Sequence, residues 1–468
     1  MGTSKKTPAE IFAAHALASQ AKKELTENIL PYWTQKMCNP SGGFHGRITG
    51  SEKLDPEAPR GAIMNARLLW TFASAHRLLG SQATGEAGNC PADGCTGEEA
   101  GSNSDGQCTR GNDSRWHGSY LDMAFRAKRE IIDKFYDPEH GGIYWSLDAS
   151  GNPLDTKKQI YAIAFAIYGL SELYRACGDS EALEYAIKLF HDIEEHSFDS
   201  EKDGYFEAFT REWKTIGDMR LSDKDANESK TMNTHLHVLE AYTCLFRVWK
   251  DELLEKRLRG LIEIFERHIL GQDGHLRLFF DDDWKCGYNI VSYGHDIEAS
   301  WLIHEAALVL GDDEALRRVE NLVPLIAAAA GEGFTQEGGM IYEMHRQQDA
   351  GSCGNGSGSG NGGTEDAAGN CHENNGCQID GDRHWWVQAE SVVGYFNLWE
   401  HFGDQAGLEN AIMCWEFIKA HIIDRENGEW FWSLRADGTV NREDDKAGFW
   451  KCPYHNGRMC MELIERTR

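Results

Sequence analysis

The sequence predicts an all-α fold, an (α/α)6 barrel of six inner and six outer helices with short β-hairpins in the loops. Three observations carry that prediction. A helix–break–helix–hairpin unit recurs about every 60 residues, so each unit must bury its apolar face against its neighbours. The helical segments alternate between apolar all round and amphipathic, the signatures of buried and surface helices. No parallel-sheet pattern competes with them.

Taken in chain order, 8–29 is an amphipathic outer helix and 62–80 the first apolar inner one. The segments 118–134, 180–196, 252–269, 313–329 and 404–422 each keep one charged face and read as outer helices. Between them, 159–177, 233–249, 295–310, 385–402 and 455–466 read as inner helices. The breaks Gly178-Asp179, Gly311-Asp312 and Gly403-Asp404 end one helix on glycine and cap the next with aspartate. Hairpins are expected at Gly141-Gly142-Ile143-Tyr144-Trp145, Gly204-Tyr205-Phe206, Gly338-Gly339-Met340-Ile341-Tyr342 and Gly428-Glu429-Trp430-Phe431-Trp432.

The chain of 468 residues reads as one domain, 1–468, around a single large core. Two stretches, 81–115 and 346–383, are rich in Gly, Ser, Asn and Cys, too poor in aliphatic side chains to order as core, and read as surface insertions. Six of the 13 cysteines lie in them: Cys90, Cys95, Cys108, Cys353, Cys371 and Cys377. Disulfides, a metal site helped by His372, or no role are all open for these, since their spacing matches no zinc pattern. The other cysteines are scattered singly and read as reduced thiols.

A net charge of −28 disfavours nucleic acid, anionic substrates and membrane surfaces, and suits a neutral ligand. The 15 tryptophans are a high count; core filling accounts for most, and flat platforms for sugar rings are the other use such side chains have. The polar start Met1–Ala14 has no apolar run, and no window reaches the roughly 18 apolar residues of a membrane span. A cytoplasmic monomer is the expectation.

Residues with chemical capability gather at the starts of the inner helices: Asn65-Ala66-Arg67, Asn233-Thr234-His235-Leu236-His237 with Glu240, Tyr293-Gly294-His295-Asp296-Ile297-Glu298, Trp385-Trp386 with Glu390, and Trp450 ahead of Tyr454-His455-Asn456. If the inner helices run parallel, these N-termini share one rim and His237, His295 and His455 converge. A zinc site is the rival reading of three histidines, but no His-Glu-x-x-His spacing occurs and the three belong to different helices, so no metal or cofactor is expected. Glu298 follows His295 by three residues, within reach of its imidazole, which suits a residue that orients it.

These motifs resemble the N-acylglucosamine 2-epimerase superfamily, most closely the branch that epimerises cellobiose, over the whole chain outside the two insertions. The segments Asn233–Glu240, Ser292–Glu298, Trp385–Glu390 and Trp450–Asn456 carry the likeness. The resemblance implies the same barrel and a reversible, metal-free inversion at C2 of a reducing-end glucose, with lactose as a further substrate. It implies that His295 and His455 are the acid/base pair on opposite faces of C2, that His237 serves ring opening or holds the ring oxygen, and that Arg67 binds the charged oxygen. It further implies that Asn233, Glu240, Glu298 and Glu390 line the site, that Trp386 lies beneath the reducing sugar and Trp450 beneath the second, and that Asp225 contacts that second sugar.

Elementary chemistry agrees with those roles. Histidine titrates near neutrality and can serve as base or acid, and inversion through an enediolate needs one such group on each face. Three rivals stay open from the residues alone. The first is an epimerase or isomerase for N-acylglucosamine or free mannose. The second is a glycosidase using Glu298 with Glu390, and the third a sugar-binding protein without catalysis.

Overall fold

Apolar periodicity and capping residues set the helices where the sequence implies them. The computed structural model describes residues 6–80, 118–346 and 377–468, and these are predominantly helical. The helices are α1 (Pro8–Glu24), α2 (Leu30–Lys36), α3 (Ala62–Leu79), α4 (Tyr120–Glu130), α5 (Ile160–Cys177), α6 (Ser180–His196) and α7 (Met232–Val248). They continue with α8 (Glu252–Ile264), α9 (Tyr293–Leu310), α10 (Asp313–Ala330), α11 (Trp385–Phe402), α12 (Gln405–Phe417) and α13 (His455–Arg466).

Thr7 and Glu10 form a reciprocal capping box at the start of α1. Asp179, Asp312 and Asp404 cap α6, α10 and α12 through their carboxylates. The preceding Gly178, Gly311 and Gly403 take left-handed φ of 74°, 73° and 67°, the conformation that ends a helix and that glycine adopts without strain.

The first outer helix runs past the expected end at 29. A π turn at Leu25–Ile29 opens the hydrogen-bond ladder just before Pro31, and the chain continues helically to Lys36. Similar π turns close α4, α8 and α12.

The helices α3, α5, α7, α9, α11 and α13 are the most deeply buried, and each packs on the next. The last, α13, returns to α3. Outside them, α4, α6, α8, α10, α12 and α1 pack on α3, α5, α7, α9, α11 and α13 respectively. The core runs continuously between the two sets.

After each outer helix the chain turns back on itself at an isolated bridge. The bridges Tyr136↔Ile143, Phe198↔Tyr205, Phe334↔Met340 and Ile423↔Trp430 are the four expected hairpins. Cys38↔Phe44 and Leu270↔Leu276 add two more, whose turns lack the paired aromatics that marked the others.

Short strands then lead into the inner helices. Lys158–Gln159 pairs with Ala208–Phe209 before α5, Lys230–Thr231 with Phe279–Phe280 before α7, and Arg383–His384 with Ser433–Leu434 before α11. Buried ion pairs lock these entries to the hairpins: Lys158 Nζ lies 3.0 Å from Asp137 and Lys230 Nζ 2.7 Å from Asp199. Asp137 and Asp199 also accept N–H bonds from their own turns, so both partners are well satisfied. The N-termini of the inner helices are thereby held at one end.

Part of the stretch 346–383 forms a strand. Gln378–Asp380 pairs with Glu343–His345, which pairs with Ile290–Ser292 ahead of α9. The ladder supplies backbone partners that a composition reading of this polar stretch does not reveal. Cys377 is exposed, with no disulfide partner among the described residues. Cys90, Cys95, Cys108, Cys353, Cys371 and His372 lie outside the described residues, as does 81–115.

Candidate active site

The N-terminal rim of the inner helices encloses a cavity of about 370 Å³. Arg67 from α3, Tyr161 from α5, Asn233 and His237 from α7, His295 and Glu298 from α9, Trp386 from α11 and His455 from α13 all line it. Trp450 and Asp225 reach in from loops. One polar, aromatic chamber thus gathers three imidazoles from three helices.

Each imidazole is held through Nδ1. His455 Nδ1 lies 2.7 Å from Glu390 Oε1, His237 Nδ1 lies 2.8 Å from Glu240 Oε2, and His295 Nδ1 lies 2.8 Å from Ser292 Oγ. A carboxylate can only accept, so the proton of His455 and of His237 sits on Nδ1 and their Nε2 carries the lone pair. His295 and His455 both approach the Trp386 ring, with centroids 4.8 and 5.6 Å away.

Gly294 makes room for that indole, since a Cβ there would lie 2.7 Å from Trp386 Cη2. Burial pushes His295 down to about 3, with His237 adding to the effect. Burial also pushes His455 well below its usual range, helped by Arg67 and Arg458. Both are neutral near pH 7, as a base must be.

Arg67 brings a cation to the cavity wall. Its Nη2 donates to the Tyr161 hydroxyl oxygen at 2.8 Å and its Nη1 to the Trp450 carbonyl at 3.4 Å. Arg67 Nε and Asn233 Oδ1 are buried without a hydrogen-bond partner among the described residues, a donor and an acceptor left over in residues of the cavity wall. Asp225 accepts from the Ser222 N–H and hydroxyl, both at 2.8 Å, and burial raises its pKa.

Three expectations need correction. Glu298 does not hold His295; its Oε1 accepts from Arg458 at 2.6 Å and lies 3.8 Å from His455 Nδ1. The side chain of Glu298 passes His295 because Ser292, one turn earlier, already occupies that Nδ1. Glu240 and Glu390 do not line the cavity but sit behind His237 and His455, where they are buried. Burial lifts Glu298 to about 7, with Glu390 adding to the rise. Glu240 is held down at about 2, because Arg458 and His237 outweigh its burial.

Glu298, Glu390 and His455 bring ligand-type atoms within 4.8 Å of one another. The Arg458 guanidinium already donates to both carboxylates, and its charge opposes a cation there. The residues present do not favour a metal.

Several lining residues escaped the sequence reading. Tyr342 stacks on His384 at 4.1 Å and 14°, although 42 positions separate them in sequence. Trp432 and Tyr161 also face the cavity. Behind the cavity, Arg458 was the one that helical spacing could have found, three residues beyond His455 on the same helix.

This largely helical chain with its imidazole-lined cavity belongs to the N-acylglucosamine 2-epimerase (GlcNAc 2-epimerase) family, whose model matches residues 111–352 and 364–457. The chain is 55% identical to the cellobiose 2-epimerase of Bacteroides fragilis, over 96% of this chain and 98% of that protein. It is 37% identical to the cellobiose 2-epimerase of Ruminococcus albus, over 96% and 99%. The solved cellobiose 2-epimerase of Bacillus thermoamylovorans superposes with a TM-score of 0.79 at 35% identity, covering 97% of this chain and 100% of that one.

Proposed function

We propose that the chain is a carbohydrate epimerase on an (α/α)6 barrel that reversibly inverts C2 of the reducing-end glucose of β-1,4-linked disaccharides, giving glucosyl-mannose from cellobiose. The closed succession of inner-helix contacts, with one outer helix on each, supports the barrel. The high identity to cellobiose 2-epimerases over nearly full length supports the substrate class. The observation that carries the chemistry is the pair His295 and His455, neutral and turned on one indole, with Nδ1 of each occupied.

In this reading, the open-chain sugar lies on Trp386 and its second ring on Trp450. One imidazole Nε2 takes the C2 proton, and the resulting enediolate spreads its charge onto O1. Arg67 is a fixed, partly unsatisfied cation that stabilises this charge without reorganising. The other imidazole, once it has taken a proton from solvent onto Nε2, gives that proton to the opposite face of C2; the first loses the abstracted proton to solvent before the next turnover, and microscopic reversibility exchanges the two roles. His237 assists ring opening. Glu298, a carboxyl that holds its proton up to about pH 7, donates to a sugar hydroxyl.

Incubating the protein with cellobiose, lactose, mannose and N-acetylglucosamine tests the reading. Epimerised disaccharide as the main product supports it. Fructose from mannose, or N-acetylmannosamine alone, would replace it with a monosaccharide enzyme, and released glucose would favour a glycosidase.

A further inference from the structure

Behind the cavity, one side chain joins groups from four inner helices and has no role in the chemistry just described. Arg458 lies on α13 and is fully buried. Its Nη2 donates to Glu298 Oε1 at 2.6 Å and to Glu390 Oε1 at 2.7 Å. Its Nη1 donates to Glu240 Oε1 and to the Tyr454 hydroxyl oxygen. The rings of Trp301 and Tyr454 cover the guanidinium at 4.7 and 4.4 Å from their centroids. The acids come from α7, α9 and α11, so a single buried cation joins three of them.

Two of those acids are the ones that hold imidazoles: Glu240 at His237 and Glu390 at His455. We propose that Arg458 is a positioning residue that clamps Glu240 and Glu390 together, fixing the Nδ1–H tautomers of His237 and His455 in concert so that both present Nε2 to the sugar. The inference rests on the site reading given above. A buried carboxylate deprived of its cation takes up a proton. A protonated Glu390 no longer requires Nδ1 of His455 to be the donor, and the tautomer is released. Lysine is a poor replacement, because a point charge cannot fork between carboxylates on different helices.

The readout follows from what faces His455. Glu390 approaches from α11, Glu298 and His295 from α9, His237 from α7, Arg67 from α3 and Arg458 from its own helix. The two arginines and two imidazoles help burial keep the proton off His455, and Arg458 is one of the larger contributors. Its removal takes away one of those repulsions, while the proton that Glu390 then gains takes away the opposing attraction, so the tautomer of His455 rather than its pKa reports the clamp.

The test compares wild type, Arg458→Gln and Arg458→Lys with cellobiose from pH 5 to 9, alongside 15N spectra of labelled imidazoles. Both variants are expected to lose about 10- to 100-fold in kcat with KM within about twofold, as befits a lost set of charge-assisted bonds outside the cavity. Both variants show mixed His455 and His237 tautomers where the wild type shows Nδ1–H alone. Wild-type tautomers and kcat in Arg458→Lys would overturn the clamp, and that holds even where Arg458→Gln does not fold. Wild-type tautomers in folded Arg458→Gln would overturn it as well. If the wild type itself leaves cellobiose unchanged, the functional reading fails, while the imidazole spectra still decide whether the clamp exists.

Discussion

Replacing Glu390 with glutamine separates orientation from binding in this site. Glu390 Oε1 accepts from both His455 Nδ1 and Arg458 Nη2 at 2.7 Å, while Oε2 accepts from the Trp301 indole N–H at 3.1 Å. The amide that Glu390→Gln introduces has a single acceptor oxygen for three donors, and its NH2 points a donor at one of them. The charge-assisted bond to the imidazole contributes about 1.5–3 kcal/mol, and more to the imidazolium formed during proton abstraction than to the neutral ring. At about 1.4 kcal/mol per decade, kcat falls roughly 10- to 100-fold. Because Glu390 does not touch the cavity, KM for cellobiose stays within about twofold. Initial epimerisation rates by NMR over a range of cellobiose concentrations read both constants. An unchanged kcat, or a loss confined to KM, would refute the assignment of Glu390 to His455 orientation.

Other perturbations give equally definite outcomes. His455→Ala should abolish epimerisation while calorimetry still detects disaccharide binding; wild-type turnover would remove His455 from the chemistry. Gly294→Ala puts a Cβ 2.7 Å from Trp386 Cη2, so it should displace the indole, raise KM and cost about 1–3 kcal/mol in urea denaturation. An unshifted Trp386 fluorescence and normal KM would contradict this. Trp450→Ala should weaken cellobiose far more than any monosaccharide, as measured by KM ratios. His235 concerns stability. Its Nε2 accepts from the Tyr205 N–H at 2.9 Å, and burial lowers its pKa to about 4. The unfolded chain binds that proton near pH 6.5, so the stability is present above that pH and lost as pH falls toward 4. Unfolding free energy should drop by about 2 kcal/mol between about pH 7.5 and 5 on this account, and His235→Gln should flatten the dependence.

The helices were legible because burial writes itself into periodicity. Segments such as 159–177 and 385–402 are apolar all round, and Gly-Asp pairs mark where they stop. The turns at Gly42-Gly43 and Gly274 were not seen, since their hairpins lack paired aromatics. The extension of the first helix past Pro31 depends on a π turn that no residue type announces. The meeting of His237, His295 and His455 in one cavity was legible because convergence follows from topology, given the expectation that inner helices share a rim. Depth was harder to read. Glu240, Glu298 and Glu390 look alike in sequence and all meet Arg458 through Oε1, yet only Glu298 reaches the cavity, because Glu240 and Glu390 are engaged by Nδ1 of His237 and His455. The Tyr342–His384 stack depends on strand pairing across the polar segment at 346–383, which composition had marked as insertion.

The most direct measurement is proton exchange at one carbon. In deuterium oxide, wild-type protein is predicted to place solvent deuterium at C2 of the reducing unit in the product epimer, and His455→Ala or His295→Ala to place none in it. Epimer that retains its original C2 proton, or deuterium carried instead to C1 of a ketose, would contradict proton transfer by two opposed imidazoles.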